Sequence, residues 1–390
     1  MNFEDLFCMK EFRDGKLLTG RDILSREITG AHVIEIADGR NWAGRGELVF
    51  TSGVAFQDKD EAMKLLMKTV ATHAGAGIVV EIGRYIDEIP QEWIRYAAEL
   101  NIPLMTLPFD VPVTNIIGQI YHKIFMQQEY RHRVDRFLYT LISGDIQAAL
   151  PLADDLGYDD TRSHVMLCIC CRQAAAASTL RTACQKAFTG PKPLLTTANA
   201  DGIWGLFELS DSVPDLKQEL KRRCLKAQEL LNALENHAAE NRSLTLTIGC
   251  STRFRKLEDA PRASREAKKA SKVLAFHTNS SHTLLYDDLG IYHLLFAVQD
   301  KDTLSFVVQQ ELGALIRYDD ENHTELTHTL ETYLACHESI RDTSEALFVH
   351  RNTIKYRIHK ICEILGYPLT DADRTFNLRL AYIIRQYLTF

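Results

Sequence analysis

A short stretch near the C-terminal end of the chain concentrates side chains that can hydrogen-bond to nucleic-acid bases and phosphates. Its members are His350, Arg351, Asn352, Thr353, Lys355, Tyr356, Arg357 and Lys360. Arginine pairs well with guanine and asparagine with adenine, whereas Thr, Lys and Tyr can hold phosphate oxygens. From His350 to Lys360 the stretch has four formal positive charges and no acidic residue. This combination predicts contact with double-stranded DNA.

Two predicted helices position these side chains. In the second helix, apolar residues recur four, three and four positions apart, so they form one buried stripe: Ile354, Ile358, Ile361 and Leu365. A shorter helix precedes it, with Ser339 and Asp342 as a predicted N-terminal capping pair. Residues 339–366 therefore predict a helix-turn-helix motif whose second helix reads the major groove.

The residues alone leave other interpretations of this motif open. Charged helix faces are often only solvated, and amphipathic helix pairs occur in many proteins. A scaffold that uses the same helices to bind protein is therefore an alternative. The clustering of base- and phosphate-binding side chains at the start of the second helix favours DNA.

The motif also resembles a known family. Residues 346–358 (ALFVHRNTIKYRI), the Leu-Gly pair at 365–366 and residues 377–381 (NLRLA) resemble the C-terminal helix-turn-helix of PucR-type transcriptional regulators, relatives of the sugar-diacid regulators. Residues 350–357 also resemble the DNA-reading helix of Fis-type proteins. By this resemblance, Arg351 and Asn352 approach bases, and Thr353 and Tyr356 hold backbone phosphates.

The resemblance extends to two earlier parts of the chain. Residues 18–24, 46–53 and 102–108 resemble the PucR N-terminal sensory domain. Residues 247–250, 263–267 and 286–292 resemble the middle domain of these regulators, a degenerate GGDEF or cyclase-like α+β fold. The resemblance implies a regulator that responds to a small effector molecule, a metabolite of purine or related nitrogen catabolism.

Length and pattern together predict an α/β multidomain protein. A chain of 390 residues is too long for one ordinary domain. We predict an α/β sensor domain at residues 1–125, a connector helix at 126–143, a cyclase-like α+β domain at 144–300 and an all-helical domain at 301–390.

Hydrophobic periodicity places the main elements inside these domains. Strands are predicted at residues 32–36, 47–51, 77–82, 103–107, 164–171, 203–209 and 244–250. Helices are predicted at residues 59–73, 90–100, 113–142, 213–239, 257–276 and 377–388, and the chain beyond residue 289 is expected to be wholly helical. The long helix before residue 142 is a candidate signalling connector or dimer seam, with a plain solvated linker as the alternative.

A second candidate site lies at strand ends in the N-terminal domain, where ligands of α/β sheets bind. Thr51 and Ser52 follow one predicted strand, Glu81 and Arg84 end another, and Arg45 is nearby in sequence. We predict that Thr51, Ser52, Glu81 and Arg84 bind the small-molecule effector. In the alternative interpretation, the Thr-Ser-Gly segment only makes a turn and Arg84 pairs with Glu81 or Asp87.

Catalysis and metal binding have weaker signals. The main alternative function is a nucleotide-cyclising or nucleotide-hydrolysing enzyme that uses the middle domain. Such chemistry needs acidic residues that hold magnesium, but residues 198–205 (ANADGIWG) contain only one Asp, and we interpret this Asp201 as a hairpin residue. Cys168, Cys170 and Cys171 lack the paired spacing of zinc ligands. The pairs His277 with His282 and His323 with His328 are five apart, do not share a helical face and are interpreted as surface histidines. We therefore expect no enzyme, metal or cofactor.

Composition restricts the partners and the compartment. No run approaches the ~18 apolar residues of a membrane span, and nine irregularly spaced cysteines without a signal region predict the reducing cytoplasm. The net charge of −7 argues against nonspecific coating of nucleic acid. A small basic end on an acidic body should bind DNA weakly as one copy, so we expect a homodimer or higher homo-oligomer.

Overall fold

The computed structural model describes residues 1–20, 26–36, 44–171, 176–190, 192–200, 202–210, 215–235, 245–276 and 282–389. Contacts within the chain divide it into two compact units, Met1–Val134 and Asp135–Phe390. None of the helices in these described ranges is both long and apolar enough to span a bilayer.

The first unit is a sheet of mostly parallel strands with helices on both faces. Its strands are β1 Lys16–Leu17, β2 Gly30–Val33, β3 Glu47–Thr51, β4 Gly77–Ile82 and β5 Leu104–Pro108, and its helices are α1 Phe3–Phe7, α2 Lys59–Thr72, α3 Gln91–Glu99 and the first part of α4 Val113–Ser143. The strand order is β1-β5-β4-β3-β2, with only β1 antiparallel. Helices α1 and α4 cover one face with Phe50 and Val79, while α2 and α3 cover the other with Val49 and Val80. Burial on both faces explains why these strands are almost continuously apolar.

The second unit begins with a mainly antiparallel sheet. Its elements are α5 Ile146–Asp155, β6 His164–Cys171, α6 Ala177–Ala187, β7 Leu195–Asn199, β8 Gly202–Glu208, α7 Leu216–Glu235, β9 Leu246–Cys250, α8 Ala260–Phe276 and β10 Thr283–Leu285. The order is β10-β9-β6-β8-β7. Helices α6 and α7 share one core with the sheet. Helix α8 approaches β9 so closely that a Cβ at Gly249 would lie 2.2 Å from the Ser271 amide nitrogen.

The C-terminal part is helical. It contains α9 Tyr292–Ala297, α10 Lys301–Asn322, α11 Leu326–Ala335, α12 Ile340–Ala346, α13 Arg351–Leu365 and α14 Ala372–Tyr387. Leu312, Leu330, Ile361 and Leu378 are fully buried in its core. The predicted combination of two mixed α/β regions with a helical C-terminal region is confirmed.

Several element boundaries differ from the predictions. The strand predicted at 32–36 was wrong in position: β2 ends at Val33, because Glu35 turns out of the sheet and binds the loop after β3. The final helix begins earlier than predicted, since Asp371 caps it by accepting from the amides of Asp373 and Arg374. The edge strands β1, β7 and β10 were missed. For the helix predicted at 213–239, both ends lie outside the described residues, as does residue 244 of a predicted strand.

Candidate nucleic-acid interface

The predicted helix-turn-helix is formed by α12, a tight turn and α13. Ser339 accepts from the Asp342 amide at 3.3 Å, as the capping pattern predicted. In the turn, Phe348 has a left-handed backbone with φ 54°, and the Val349 amide donates to the Ser344 carbonyl at 3.0 Å. His350 caps α13, with Nδ1 accepting from the Asn352 amide at 3.2 Å. These local bonds determine where the second helix starts and how it leaves the turn.

Helix α13 buries one face and exposes the other at its N-terminal end. Ile354 and Ile361 are fully buried against the neighbouring helices. The side chains of the first turns that point to solvent are Arg351, Asn352, Thr353, Lys355 and Tyr356. Two positive charges, an amide and two hydroxyls are therefore available to one external partner, an arrangement suited to a DNA groove and its phosphates.

Arg357 and Lys360 differ from this exposed group because both have partners within the chain. Arg357 Nη1 donates to Thr329 Oγ1 of α11 at 3.0 Å. Lys360 Nζ lies 3.0 Å from Glu363 Oε2 and 5.7 Å from the centre of the Tyr318 ring. Hydrogen bonding to Glu363, together with its negative charge, raises the pKa of Lys360. Arg357 thus ties α13 to α11, and Lys360 must exchange an ion pair to reach a phosphate.

A groove of about 700 Å³ between α12 and α13 adds a residue that sequence reasoning missed. Arg341 lines this groove together with Arg351 and Lys355. Its guanidinium is highly exposed and lies 3.1 Å from Glu345 Oε1, which raises the pKa of Arg341. A cation in the first helix of the motif was the signal that could have identified it.

The N-terminal candidate residues lie at the carboxyl edge of their sheet. Glu35, which was not predicted, binds the loop that contains two of them. Glu35 accepts from the amides of Ser52 and Val54 at 2.9 and 3.3 Å and from Thr51 Oγ1 at 3.4 Å. Glu81 is only 9% exposed on the adjacent strand. Burial, and secondarily the charge of Glu35, raises the pKa of Glu81.

The two arginines considered with this site are both exposed. Arg84 lies over the rings of Tyr85 and Phe109, 5.4 and 4.9 Å from their centres. Among the ion pairs of the described residues, none joins Arg84 to Glu81 or Asp87, which the alternative interpretation required. Thr51 and Ser52 are therefore held together by their hydrogen bonds to Glu35. Glu81 lies on the adjacent strand, and Arg84 packs over the rings of Tyr85 and Phe109.

The middle domain offers little for catalysis or metal binding. Strands β7 and β8 form a hairpin closed between Asn199 and Gly202, and Asp201 lies outside the described residues. All nine cysteines, including Cys168, Cys170 and Cys171, are free thiols. The described ranges contain no group of three or more His, Cys, Asp or Glu residues that could hold a metal.

Of the four histidines considered as pairs, two are on the surface. His323 and His328 are exposed. His282 is half-buried, and its ring donates to the Leu246 carbonyl at 3.2 Å, so it is only partly exposed at the surface. His277 lies outside the described residues.

Comparisons with known proteins match all three regions. Residues 5–124 match the purine catabolism regulatory protein-like family, and residues 326–384 match the PucR C-terminal helix-turn-helix domain. The chain therefore carries two PucR-family domains. Residues 143–273, between these domains, match a GGDEF-like domain. The PucR helix-turn-helix match spans α11 to α14, so it includes the Arg357–Thr329 contact as well as the motif.

Several proteins similar to this chain are named as regulators. The chain is 34% identical over 137 residues to the purine catabolism regulatory protein of Bacillus subtilis, covering 35% of this chain and 25% of that protein. It is 31% identical over 147 residues to the proline-responsive transcriptional activator of the same organism, covering 37% of this chain and 36% of that protein. It is 31% identical over 120 residues to the carbohydrate diacid regulator of Escherichia coli, covering 31% of this chain and 30% of that protein. The chain thus spans between a quarter and just over a third of the length of these relatives.

The chain also aligns with solved structures. One of these structures is a regulator of polyketide synthase expression from Bifidobacterium adolescentis. The alignment covers 66% of this chain and 94% of the chain in that structure, at 19% sequence identity. The TM-score of 0.31 is too low to support an argument about the fold.

Proposed function

We propose that this protein is a sequence-specific DNA-binding transcriptional regulator that responds to a small metabolite. The observation that carries the proposal is the exposed N-terminal face of α13, where Arg351, Asn352, Thr353, Lys355 and Tyr356 all point to solvent. Arg351 and Asn352 are the base-reading residues in this proposal, and the other three hold phosphates. The matches to the PucR-family domains support it.

Arg351→Ala and Asn352→Ala test the proposal directly. Each variant should lose roughly 1–3 kcal/mol of affinity for the operator and relax its sequence preference, as expected for base contacts. The DNA is first selected from genomic fragments that co-purify with the protein, and affinities are then measured by gel-shift titration. Arg317→Ala, an exposed arginine on α10, is the control. Unchanged specific affinity in Arg351→Ala would show that α13 is not the reading helix, and would favour the protein-binding scaffold.

The sensor in this proposal is the N-terminal domain, and the effector is a small polar metabolite. Relatives are named for purine catabolism and for a response to proline, which supports an effector of nitrogen metabolism. Thr51, Ser52, Glu81 and Arg84 remain the proposed contacts. To these we add Glu35, because it organises the loop that contains Thr51 and Ser52.

We assign no catalytic role to the middle domain. The tight hairpin between Asn199 and Gly202 leaves little backbone to surround a triphosphate, which supports regulation over nucleotide cyclisation or hydrolysis. No metal or cofactor is part of the proposal. A DNA target and nine free cysteines support a cytoplasmic location.

A further inference from the structure

Glu81 is the only buried acidic residue among the described residues of the sensor domain. Its side chain is 9% exposed, and strand alternation places it on the same sheet face as Val79, at the rim of the core between the sheet and α4. Its register partner on β5 is the fully buried Leu107. Within the described residues, Glu81 has no hydrogen bond or ion pair that would offset this burial. The carboxylate oxygens keep some contact with solvent, so a partner from outside the chain can reach them and offset the cost of this burial.

Glu35 cannot be that partner, and its own bonding needs are already met. Both of its carboxylate oxygens accept from the loop, through the Ser52 and Val54 amides and Thr51 Oγ1. The charge of Glu35 adds negative potential beside Glu81 and, after burial, contributes to the raised pKa of Glu81. The edge of the sheet thus combines one satisfied carboxylate with one unsatisfied carboxylate.

We propose that Glu81 accepts hydrogen bonds from a protonated amine of the effector, so that the ligand is a small organic cation or zwitterion. This inference rests on the proposed sensory role of the domain and specifies the chemical class of its ligand. An ammonium group brings up to three N–H donors and a positive charge, which meets the needs of Glu81 and benefits from Glu35. A metal ion fits less well, because it needs several oxygen ligands and the oxygens of Glu35 already accept N–H and O–H donors.

The experiment measures the melting midpoint of the full chain with four matched series of compounds. These are alkylamines of two to five carbons, the corresponding ω-amino acids, and the alcohols and carboxylic acids of the same length. A compound that binds only the folded state raises the midpoint as its concentration exceeds its Kd. At least one amine or amino acid should do so, and the alcohol or acid of equal length should not. Magnesium and calcium chloride serve as the metal probes and should have no effect.

Two variants identify the residue responsible. Glu81→Gln should weaken binding of the stabilising amine by about 10- to 100-fold, the range for hydrogen bonds to charged groups. Without ligand it should melt at a higher temperature than the natural chain, since it removes a buried uncompensated charge. Glu88→Gln changes an exposed carboxylate beyond the end of β4 and should match the natural chain in both measurements.

The inference is overturned if no amine or ω-amino acid stabilises the protein, if alcohols or metal ions stabilise it equally, or if Glu81→Gln retains affinity for the stabilising compound. A lower melting midpoint of ligand-free Glu81→Gln would also overturn it, because it would mean that the carboxylate already has a stabilising partner. None of these measurements involves DNA. Loss of DNA binding by a chain that still binds amines would instead contradict the proposed regulatory function.

Discussion

Two lysines on α13 carry the same formal charge but have different surroundings. Lys355 is exposed at the groove between α12 and α13, whereas Lys360 is paired with Glu363. We expect Lys355→Ala to weaken binding to all DNA sequences and to reduce the salt dependence by about one phosphate contact. Lys360→Ala should reduce DNA affinity and its salt dependence less. Gel shifts at several salt concentrations measure both variants.

Glu363→Gln is the matched control for these lysines. It releases Lys360 from its ion pair and removes a negative charge near the DNA, so affinity should rise. Equal losses of DNA affinity in Lys355→Ala and Lys360→Ala, with no gain of affinity in Glu363→Gln, would contradict these different roles of the two lysines.

Phe348 combines two unusual properties in the turn between α12 and α13. Its side chain is 96% exposed, and its backbone has φ 54°, a conformation that glycine adopts most readily. Phe348→Gly should therefore stabilise the protein by about 0.5–1 kcal/mol. Phe348→Ala keeps the backbone strain and should not stabilise it. Urea unfolding compares the two, and a Gly variant no more stable than the Ala variant would refute the role of the backbone.

At the scale of elements, α11 receives its N-terminal cap from another helix. Asp319 on α10 accepts from the amides of Leu326 and Thr327 at 2.8 and 2.7 Å and from Thr324 Oγ1 at 2.6 Å. Burial by itself would raise the pKa of Asp319, but these hydrogen bonds outweigh it and lower the pKa. Helix α11 in turn holds Thr329, which anchors Arg357 of the reading helix.

Asp319→Ala should therefore destabilise the protein by about 0.5–2 kcal/mol at neutral pH. A lowered pKa in the folded state means that this stabilisation exists above the ordinary Asp value of about 4 and is lost as the pH falls through the folded-state pKa. The difference between the variant and the natural chain should thus shrink in acid, as followed by urea unfolding at several pH values. Asp320→Ala, at an exposed neighbour, is the control. A pH-independent difference would argue against a charged cap.

For the whole molecule, we expect at least a dimer. The chain has a net charge of −7, so a single reading helix has little electrostatic attraction to DNA. Helix α4 is 31 residues long and exposes three aromatic side chains whose spacing places them on one face, which suits a seam with a second copy: Tyr121, Phe125 and Tyr139. Light scattering at micromolar concentration should give about twice the 44.3 kDa of one chain.

Phe125→Ser should shift this assembly towards monomer, whereas Phe306→Ser, at an exposed phenylalanine on α10, should not. Detection of only the 44.3 kDa species, with and without DNA, would rule out the dimer.

The sequence by itself determined the features that depend on neighbouring residues. The buried stripe that includes Ile354 and Ile361, the Ser339 cap and the exposure of Arg351 and Asn352 follow from helical periodicity and local hydrogen bonding. The parallel strands β3 and β4 were likewise recognised from continuous apolar runs. These patterns span only a few residues, so they can be interpreted before the rest of the chain is placed.

Only the tertiary structure decided how distant side chains are used. Arg357 is predicted to contact DNA, and its intramolecular partner Thr329 lies on another helix, 28 positions earlier in the chain. Glu35 was not predicted at all, because its role depends on a loop brought beside it by the parallel pairing of β2 with β3. That Glu81 has no hydrogen-bond or ion-pair partner among the described residues is also a property of the assembled sheet. Periodicity predicts the direction of a side chain, whereas its partners are determined by packing between elements far apart in the chain.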